Sequence, residues 1–355
     1  MSVSTATTGE RPIWTLSTLG SLLRNERTLM LVLALFVGIL SILPLGRLVY
    51  AAFVTGTGFE LDRIADVLGG RRVFEATVNT IWISLSATAL ATVAGTLAAL
   101  LVGASDMRGR TAWVFGFVLP LMIPPQVIAL AWVQAFSPAS PVMNLLGFSL
   151  QPGMRHPLYS AGGIVLLLGL YNAPLVFLAV RANLRRVPAD LVEAARAVGA
   201  TPLRATLGVI LPLIRGGIFA GAALAFVSSI GNFGIQAMLG IPARVPTLIT
   251  LIYRQLNSYG PSALNDMALL ALLLAVLTIL GMGTAGFLSR MGDQRVDGVS
   301  RPFKFPLGHF RLPVTALAWG YLVFALALPL SALAGSALVR GYGQPLNLET
   351  LTFEN

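Results

Sequence analysis

Uncharged apolar runs of membrane-spanning length recur along this chain, and nothing else in it limits the possible folds as much. About 20 residues of helix, rising 1.5 Å each, cross a hydrocarbon core about 30 Å thick. Such runs fall at residues 28–46, 78–102, 112–136, 162–180, 211–235, 265–288 and 312–338. With 56% hydrophobic and 11% charged residues in 355, there is too little charge to cover a soluble core. In lipid every backbone polar group needs a partner, which leaves helices or a closed barrel, and a barrel requires short alternating segments. The expected fold is all-α, a polytopic helical membrane protein with about seven transmembrane helices. The first run follows a polar tail, residues 1–27, and is longer than a leader's apolar core, so it reads as a retained helix.

Charge sets the expected orientation, because Lys and Arg near span ends are retained on the cytoplasmic side. Arg11, Arg24 and Arg27 precede the first run. Alternate loops then carry Arg108 and Arg110, next Arg181, Arg185, Arg186, Arg196 and Arg204, and last Arg290, Arg295, Arg301, Lys304 and Arg311. In the first intervening loop Glu60, Asp62, Asp66 and Glu75 offset Arg63, Arg71 and Arg72. The amino terminus is expected in the cytoplasm, with the chain crossing the plasma (inner) membrane several times. Much of the formal charge of +10 is then topology signal, and nucleic acid is not needed as a partner. The absence of cysteine excludes disulfides and thiolate metal sites. His156 and His309 fall in loops on opposite faces of this topology, so no histidine metal centre is expected.

One loop departs from the apolar pattern. "DLVEAARAVGATPLRATLGVILPLI", residues 190–214, carries helix punctuation between two spans. Asp190 followed by Glu193 is a helix-start signature: the Asp accepts from an orphan backbone N–H and the Glu reaches back. Leu191, Ala194, Ala195 and Val198 fall at i, i+3, i+4 and i+7 and line one side. Gly199 supplies the stop, and Thr201-Pro202 starts a second helix running to Leu211-Pro212. A helix of about nine residues is marginal alone, so its smooth apolar side requires a partner surface. The loop reads as a docking piece.

These residues carry a resemblance. Glu193-Ala194-Ala195, then Gly199, Val209 and Leu211-Pro212, are similar to the "EAA" loop of permease subunits of bacterial binding-protein-dependent ABC importers, which often have Ile where Val209 stands. The resemblance implies a type I importer permease core and a coupling loop at 181–212 that inserts into a cytoplasmic ABC ATPase dimer. It further implies an extracytoplasmic solute-binding protein and a second permease half or subunit. No GxxxxGK[ST] motif occurs, so this chain is not expected to be an enzyme or to bind a cofactor: ATP and Mg belong on the partner subunit.

The organisation expected from the resemblance is a cytoplasmic tail at 1–27, a first permease half at 28–289 with six spans, a cytoplasmic linker at 290–311, and the first span of a second half at 312–355. Leu43-Pro44-Leu45 is echoed by Leu328-Pro329-Leu330, and "FELDRI" by "LNLETL" at nearly the same separation. That echo resembles a fused double-length permease of the ferric-iron type, cut short early in its second half.

Substrate cues are sparser. Pro124-Pro125-Gln126 is expected to break the third span, and Tyr171-Asn172-Ala173-Pro174 the fourth, while Ser228, Ser229 and Asn232 mark the fifth. Gln126, Tyr171, Asn172, Ser228, Ser229 and Asn232 are candidates to line a substrate pathway, with interhelical hydrogen bonding as the other reading. Pro242, Pro246, Tyr253 and Arg254 suit either an outer re-entrant or gate element or a surface helix. The stretch "GNFGIQAMLGIPARVPTLITLIYRQL" is similar to permeases for iron(III), with relatives for thiamine, polyamines and phosphonates. Iron(III) is the leading expectation for the solute. The span centres lack ionisable groups, which weighs against an ion-coupled secondary transporter.

Overall fold

The computed structural model describes residues 26–291, apart from 56–57, 139, 141–142, 145–146, 148–152 and 261, together with residues 304–339. Nearly all of the tail, most of the linker and the "LNLETL" echo lie outside the described residues.

Among the described residues the regular structure is helical apart from a two-stranded hairpin and an isolated bridge between Ser105 and Phe305. The first span, α1 (Glu26–Phe53), leads through strands β1 (Val54–Thr55) and β2 (Gly58–Phe59) to a short amphipathic helix, α2 (Leu61–Gly69). Next come α3 (Arg71–Ala104), α4 (Arg110–Val118), a 3₁₀ turn at Leu119–Met122 and α5 (Pro125–Ala135). They are followed by α6 (Ala161–Leu184), α7 (Ala189–Ala197), α8 (Pro202–Ala205), a π turn at Thr206–Ile210 and α9 (Leu211–Ile230). The remainder is α10 (Phe233–Ala243), α11 (Leu248–Leu256), α12 (Ala263–Met291), a 3₁₀ turn at Gly308–Phe310, α13 (Arg311–Leu322), a π turn at Val323–Ala327 and α14 (Leu328–Ala337). Among the described residues six helices are long and apolar enough to cross a membrane, and two bent pairs bring the total to as many as eight. The all-α polytopic expectation holds. The region after the fifth run, left open by the sequence, is one of the bent pairs: α10 and α11 meet at 85°.

Small residues set how closely the central helices approach. A Cβ on Gly95 of α3 would stand 2.5 Å from the Ala173 carbonyl of α6, and one on Gly221 of α9 would stand 2.9 Å from the Val176 Cα. Without a hydrophobic drive between helices in lipid, such close van der Waals contact is what associates them. Asn183 lies against Gly217, Val176 against Gly221 and Asn172 against Ser228, so α6 and α9 run antiparallel. Trp113, Phe117 and Phe177 complete this core with ring centroids 4.8–6.4 Å apart.

Prolines explain most irregularities. Pro212 and Pro329 each follow a five-residue π turn, and the Leu211 N–H donates five residues back to the Thr206 carbonyl. A proline has no N–H and its ring clashes with the carbonyl four residues earlier, so a widened turn before it absorbs both problems. Pro124 has the stronger effect, with α4–Met122 and α5 meeting at 106°. The third span is therefore two short helices. The fourth span differs from expectation: Pro174 lies buried inside α6, whose helix continues unbroken past it, as packing against neighbouring helices allows. The fifth span ends earlier than expected, at Ile230, because Asn232 caps a new helix.

Two opposite ends of the bundle are tied by polar contacts. At one, Arg63 of α2 donates to Asp266 of α12 at 2.7 Å and to the Ala52 carbonyl at 2.7 Å, and Asn265 donates to the Ala51 and Val54 carbonyls. At the other lie the carboxyl end of α6, helix α7 and the start of α13.

Candidate docking helix and polar break

Helix α7 begins two residues earlier than the sequence suggests. Pro188 is the N-cap residue with no side-chain cap bond, so Asp190 sits inside the first turn and the expected capping box with Glu193 does not form. Proline at the cap fixes the extended entry without a side-chain acceptor, and Asp190 instead meets the positive end of the helix dipole. The stop agrees with expectation: Gly199 has φ +89°, and the Ala200 N–H donates to the Ala195 carbonyl. Thr201 caps the next helix, accepting from the Arg204 N–H at 3.3 Å.

The two sides of α7 are occupied differently. Ala189 and Val192 are buried in the core, and this inward pair is legible in the sequence as an i, i+3 spacing. Leu191, Glu193, Ala194 and Val198 are exposed, Val198 to 86%, and Ala195 is half-buried. The Leu191, Ala194, Val198 side thus has no cover within the described chain. Val209, Leu211 and Pro212 are half-buried at the π turn, where Val209 and Leu211 join the same core as Val192.

The break in the third span faces a polar cluster. Asn172 donates from Nδ2 to Ser229 Oγ at 2.9 Å and accepts at Oδ1 from Ser228 Oγ at 2.7 Å. Gln236 donates to the Ser229 carbonyl at 2.8 Å, and its Oε1 has no partner among the described residues. Asn232 accepts from the Ile235 N–H at 3.0 Å as the cap of α10. Gln126 is exposed beside this end of α10: a Cβ on Gly234 would stand 2.8 Å from its backbone nitrogen and 2.9 Å from its Oε1. The Tyr171 hydroxyl reaches the Ile123 carbonyl at 3.5 Å, on the other side of the break. Five of the six expected pathway residues, Asn172, Ser228, Ser229, Asn232 and Gln126, cluster where α5, α6, α9 and α10 meet, and Tyr171 adjoins them. Asn172 and Ser229 are fully buried and bonded to each other, while Gln126 is open.

Sequence reasoning missed Gln236, whose position four residues after Asn232 would have placed it on the same helix face had Phe233 been read as a helix start. It also missed the seat of α11, where the Leu248 N–H donates to Thr80 Oγ1 at 2.8 Å and Asn79 donates to the Pro246 carbonyl at 2.9 Å. Outside the spans His156 accepts from the Leu158 N–H at Nδ1, leaving Nε2 to donate to the Val133 carbonyl at 3.0 Å. Desolvation holds this imidazole below its ordinary pKa, with the bond to Val133 pulling partly the other way.

Among the described residues the chain is a polytopic helical bundle with a short, partly uncovered helix, α7, at one end and a polar cluster beside a broken span. Residues 91–298 match the model of the binding-protein-dependent transport system inner membrane component family, and the chain belongs to that family. It is similar to a probable ABC transporter permease protein of Sinorhizobium fredii, 26% identical over 239 residues, which cover 67% of this chain and 41% of that protein. The chain therefore spans about two fifths of that relative's length. It is also similar to a putative 2-aminoethylphosphonate transport system permease protein of Salmonella typhimurium, 29% identical over 59% of this chain and 74% of the relative. A probable molybdenum ABC transporter permease protein of Haloferax volcanii is 29% identical over 72% of this chain and 88% of the relative. Among solved structures, a chain of a bacterial alginate ABC transporter in complex with alginate pentasaccharide-bound periplasmic protein superposes with a TM-score of 0.62. It shares 17% identity and covers 78% of this chain and 99% of that one, a likeness of fold.

Proposed function

We propose that this chain is the permease subunit of an ATP-driven solute importer in which α7 is gripped by a separate cytoplasmic ATPase dimer. The observation that carries the reading is the uncovered Leu191, Ala194, Val198 side, held outward by the buried Ala189 and Val192 and ended by the left-handed Gly199. Burying one such side chain in a partner's groove is worth about 1.5–3 kcal/mol, so a short face suffices for specific docking. Closure of the ATPase would pull α7 and, through the π turn at Thr206–Ile210, tilt α9. Asp190, Glu193 and Ala195 belong to the same coupling surface, with Val209, Leu211 and Pro212 as its hinge. ATP and Mg are assigned to the partner, delivery of solute to an extracytoplasmic binding protein, and completion of the pathway to a second permease half or subunit. The amino terminus is assigned to the cytoplasm on the arginine distribution.

The polar cluster is assigned to the pathway. Support comes from the exposed Gln126 at the span break and from the Gln236 Oε1, which is buried and lacks a partner among the described residues. Asn172, Ser228 and Ser229 hold the wall behind it. For the solute, the names of the relatives favour a phosphonate, or a molybdenum species, over iron(III). The neutral amide and hydroxyl groups at the cluster suit transfer of a solute released by a binding protein more than tight ligation of a hard cation. Residues 290–311 as a linker and 312–355 as the opening of a second half remain part of this proposal.

The test is uptake by proteoliposomes holding the chain with its ATPase and binding protein, using 2-aminoethylphosphonate, molybdate and ferric iron as separate probes. ATP-dependent uptake of one probe, abolished by Val198→Asp and weakened by Gln126→Ala, is the expected result. Uptake that proceeds without ATP overturns the reading.

A further inference from the structure

Phe305 lies just before α13, in a stretch the sequence marks only as linker, yet it is 8% exposed. Its ring joins the core cluster that includes Leu184, Val187, Val192 and Ala205, directly behind the docking helix, and the Arg196 guanidinium of α7 stands over that ring at 5.8 Å. Its backbone is clamped as well: the Phe305 N–H donates to the Ala104 carbonyl at 2.8 Å, forming a parallel bridge with Ser105. Two residues later the Leu307 N–H donates to Asp106 Oδ1 at 2.9 Å, and Arg311 stands 3.7 Å from the same carboxylate.

From this clamp the seventh span runs beside the broken third span along its length. Trp113 Nε1 donates to the Ala318 carbonyl at 2.8 Å, Phe117 meets Tyr321 at 5.5 Å, and beyond the break Trp132 meets Phe324 edge-on at 5.2 Å. Contacts therefore lie on both sides of Pro124, next to Gln126. A displacement of α7 has two outlets: the covalent one through the π turn into α9, and a second through Phe305 into α13, α14 and α5.

We infer that Phe305 is a positioning residue of the transport cycle, a plug that carries movement of α7 into the seventh span and so to the break in the third. The inference rests on the reading of α7 as the ATPase's docking helix. An aromatic ring suits both duties, filling the pocket behind α7 and offering its face to the Arg196 cation so that helix and plug move together.

The chain has no cysteine, so a single introduced thiol is unique within it, and its labelling is read on the permease after it is separated from the ATPase. Met122, 76% exposed at the break, is the reporter position. The reaction rate of Met122→Cys with a maleimide is measured in the permease–ATPase complex with and without MgATP plus vanadate. A change of about fivefold, the low end of ordinary coupling between sites, is expected. Adding Phe305→Ala is expected to remove most of that change while ATPase turnover stays within about twofold, and Phe305→Tyr to restore it. A purely structural plug would instead lower folded yield and turnover in parallel. Phe305→Leu, which keeps apolar volume and removes the ring, decides the matter if Phe305→Ala does not assemble. The inference is overturned by a full nucleotide response in the Phe305 variants, or by no response at Met122→Cys alone. Failure of the unaltered complex to hold an ATPase would instead overturn the docking reading, and this inference with it.

Discussion

At the scale of single residues, exposure and partner count separate roles that residue type leaves merged. Val198 and Val192 are both apolar members of α7, yet one is 86% exposed and the other 1%. Val198→Asp is expected to leave the melting temperature of the detergent-solubilised chain nearly unchanged, as exposed substitutions shift stability by about 0.5 kcal/mol or less. The same change should abolish recovery of the ATPase on an affinity-tagged permease; recovery at the unaltered level would contradict α7 as the docking element. His156 gives a pH signature. Its folded pKa lies below the ordinary value of 6.5 because of desolvation, so the stability it contributes is complete above the unfolded value and is lost as pH falls through the folded one. Protonating Nδ1 also removes the acceptor used by the Leu158 N–H. Melting temperature should fall between pH 7 and about pH 5, and less steeply in His156→Gln, which cannot titrate in that range.

At the scale of elements, what was legible in the sequence depended on whether the cue was local. Apolar length gave the spans, Gly199 gave the end of α7 and Thr201-Pro202 the start of α8, since each works through backbone conformation within a few residues. Cues that depend on neighbours misled. Pro174 was expected to break a span, but it lies buried within a continuous α6; Asp190 and Glu193 were expected to cap α7, but Pro188 takes that place. The Leu-Pro-Leu echo is weakened in the same way. Leu119-Pro120-Leu121 and Leu211-Pro212-Leu213 carry the same triplet, in a broken span and after a π turn, while Leu43-Pro44-Leu45 lies inside a continuous helix, so the triplet does not by itself mark a repeat. The Asn172 cluster and the Phe305 plug join residues from distant parts of the chain, and no spacing within one element announces them. Close packing of elements is directly testable. Gly95→Val on α3 would drive atoms into the Ala173 carbonyl and the Val176 side chain, and overpacking of this kind typically costs about 1–3 kcal/mol. A lower melting temperature is expected, whereas Gly208→Ala, which meets nothing within 4 Å, should be near neutral.

At the scale of the whole molecule, the bundle divides into a tightly packed centre of α3, α6 and α9 and a periphery joined to it by a few specific ties. The ion pair of Arg63 with Asp266, 2.7 Å apart, belongs to the second kind. Both side chains are largely buried, so removing one strands the other, whereas exchanging the two preserves the attraction. Arg63→Ala is expected to loosen α2 from α12, read as faster protease cleavage near the hairpin in intact vesicles. The double exchange Arg63→Asp with Asp266→Arg should recover part of the protection, and equal cleavage in all three chains would exclude the tie.

The first span illustrates what such sparse attachment permits. From Leu29 to Leu45 nearly every side chain of α1 is exposed, and only its last turns, around Ala52, sit against Ala268 and Leu269. Most of this helix meets no other described part of the chain, so within the chain it needs apolar character and length but no particular shape. Replacing residues 29–43 by an unrelated apolar sequence should therefore shift the melting temperature by no more than about 2 °C. Evolution would be free to rewrite that stretch while keeping Asn265 and Arg63, the two moorings at its far end.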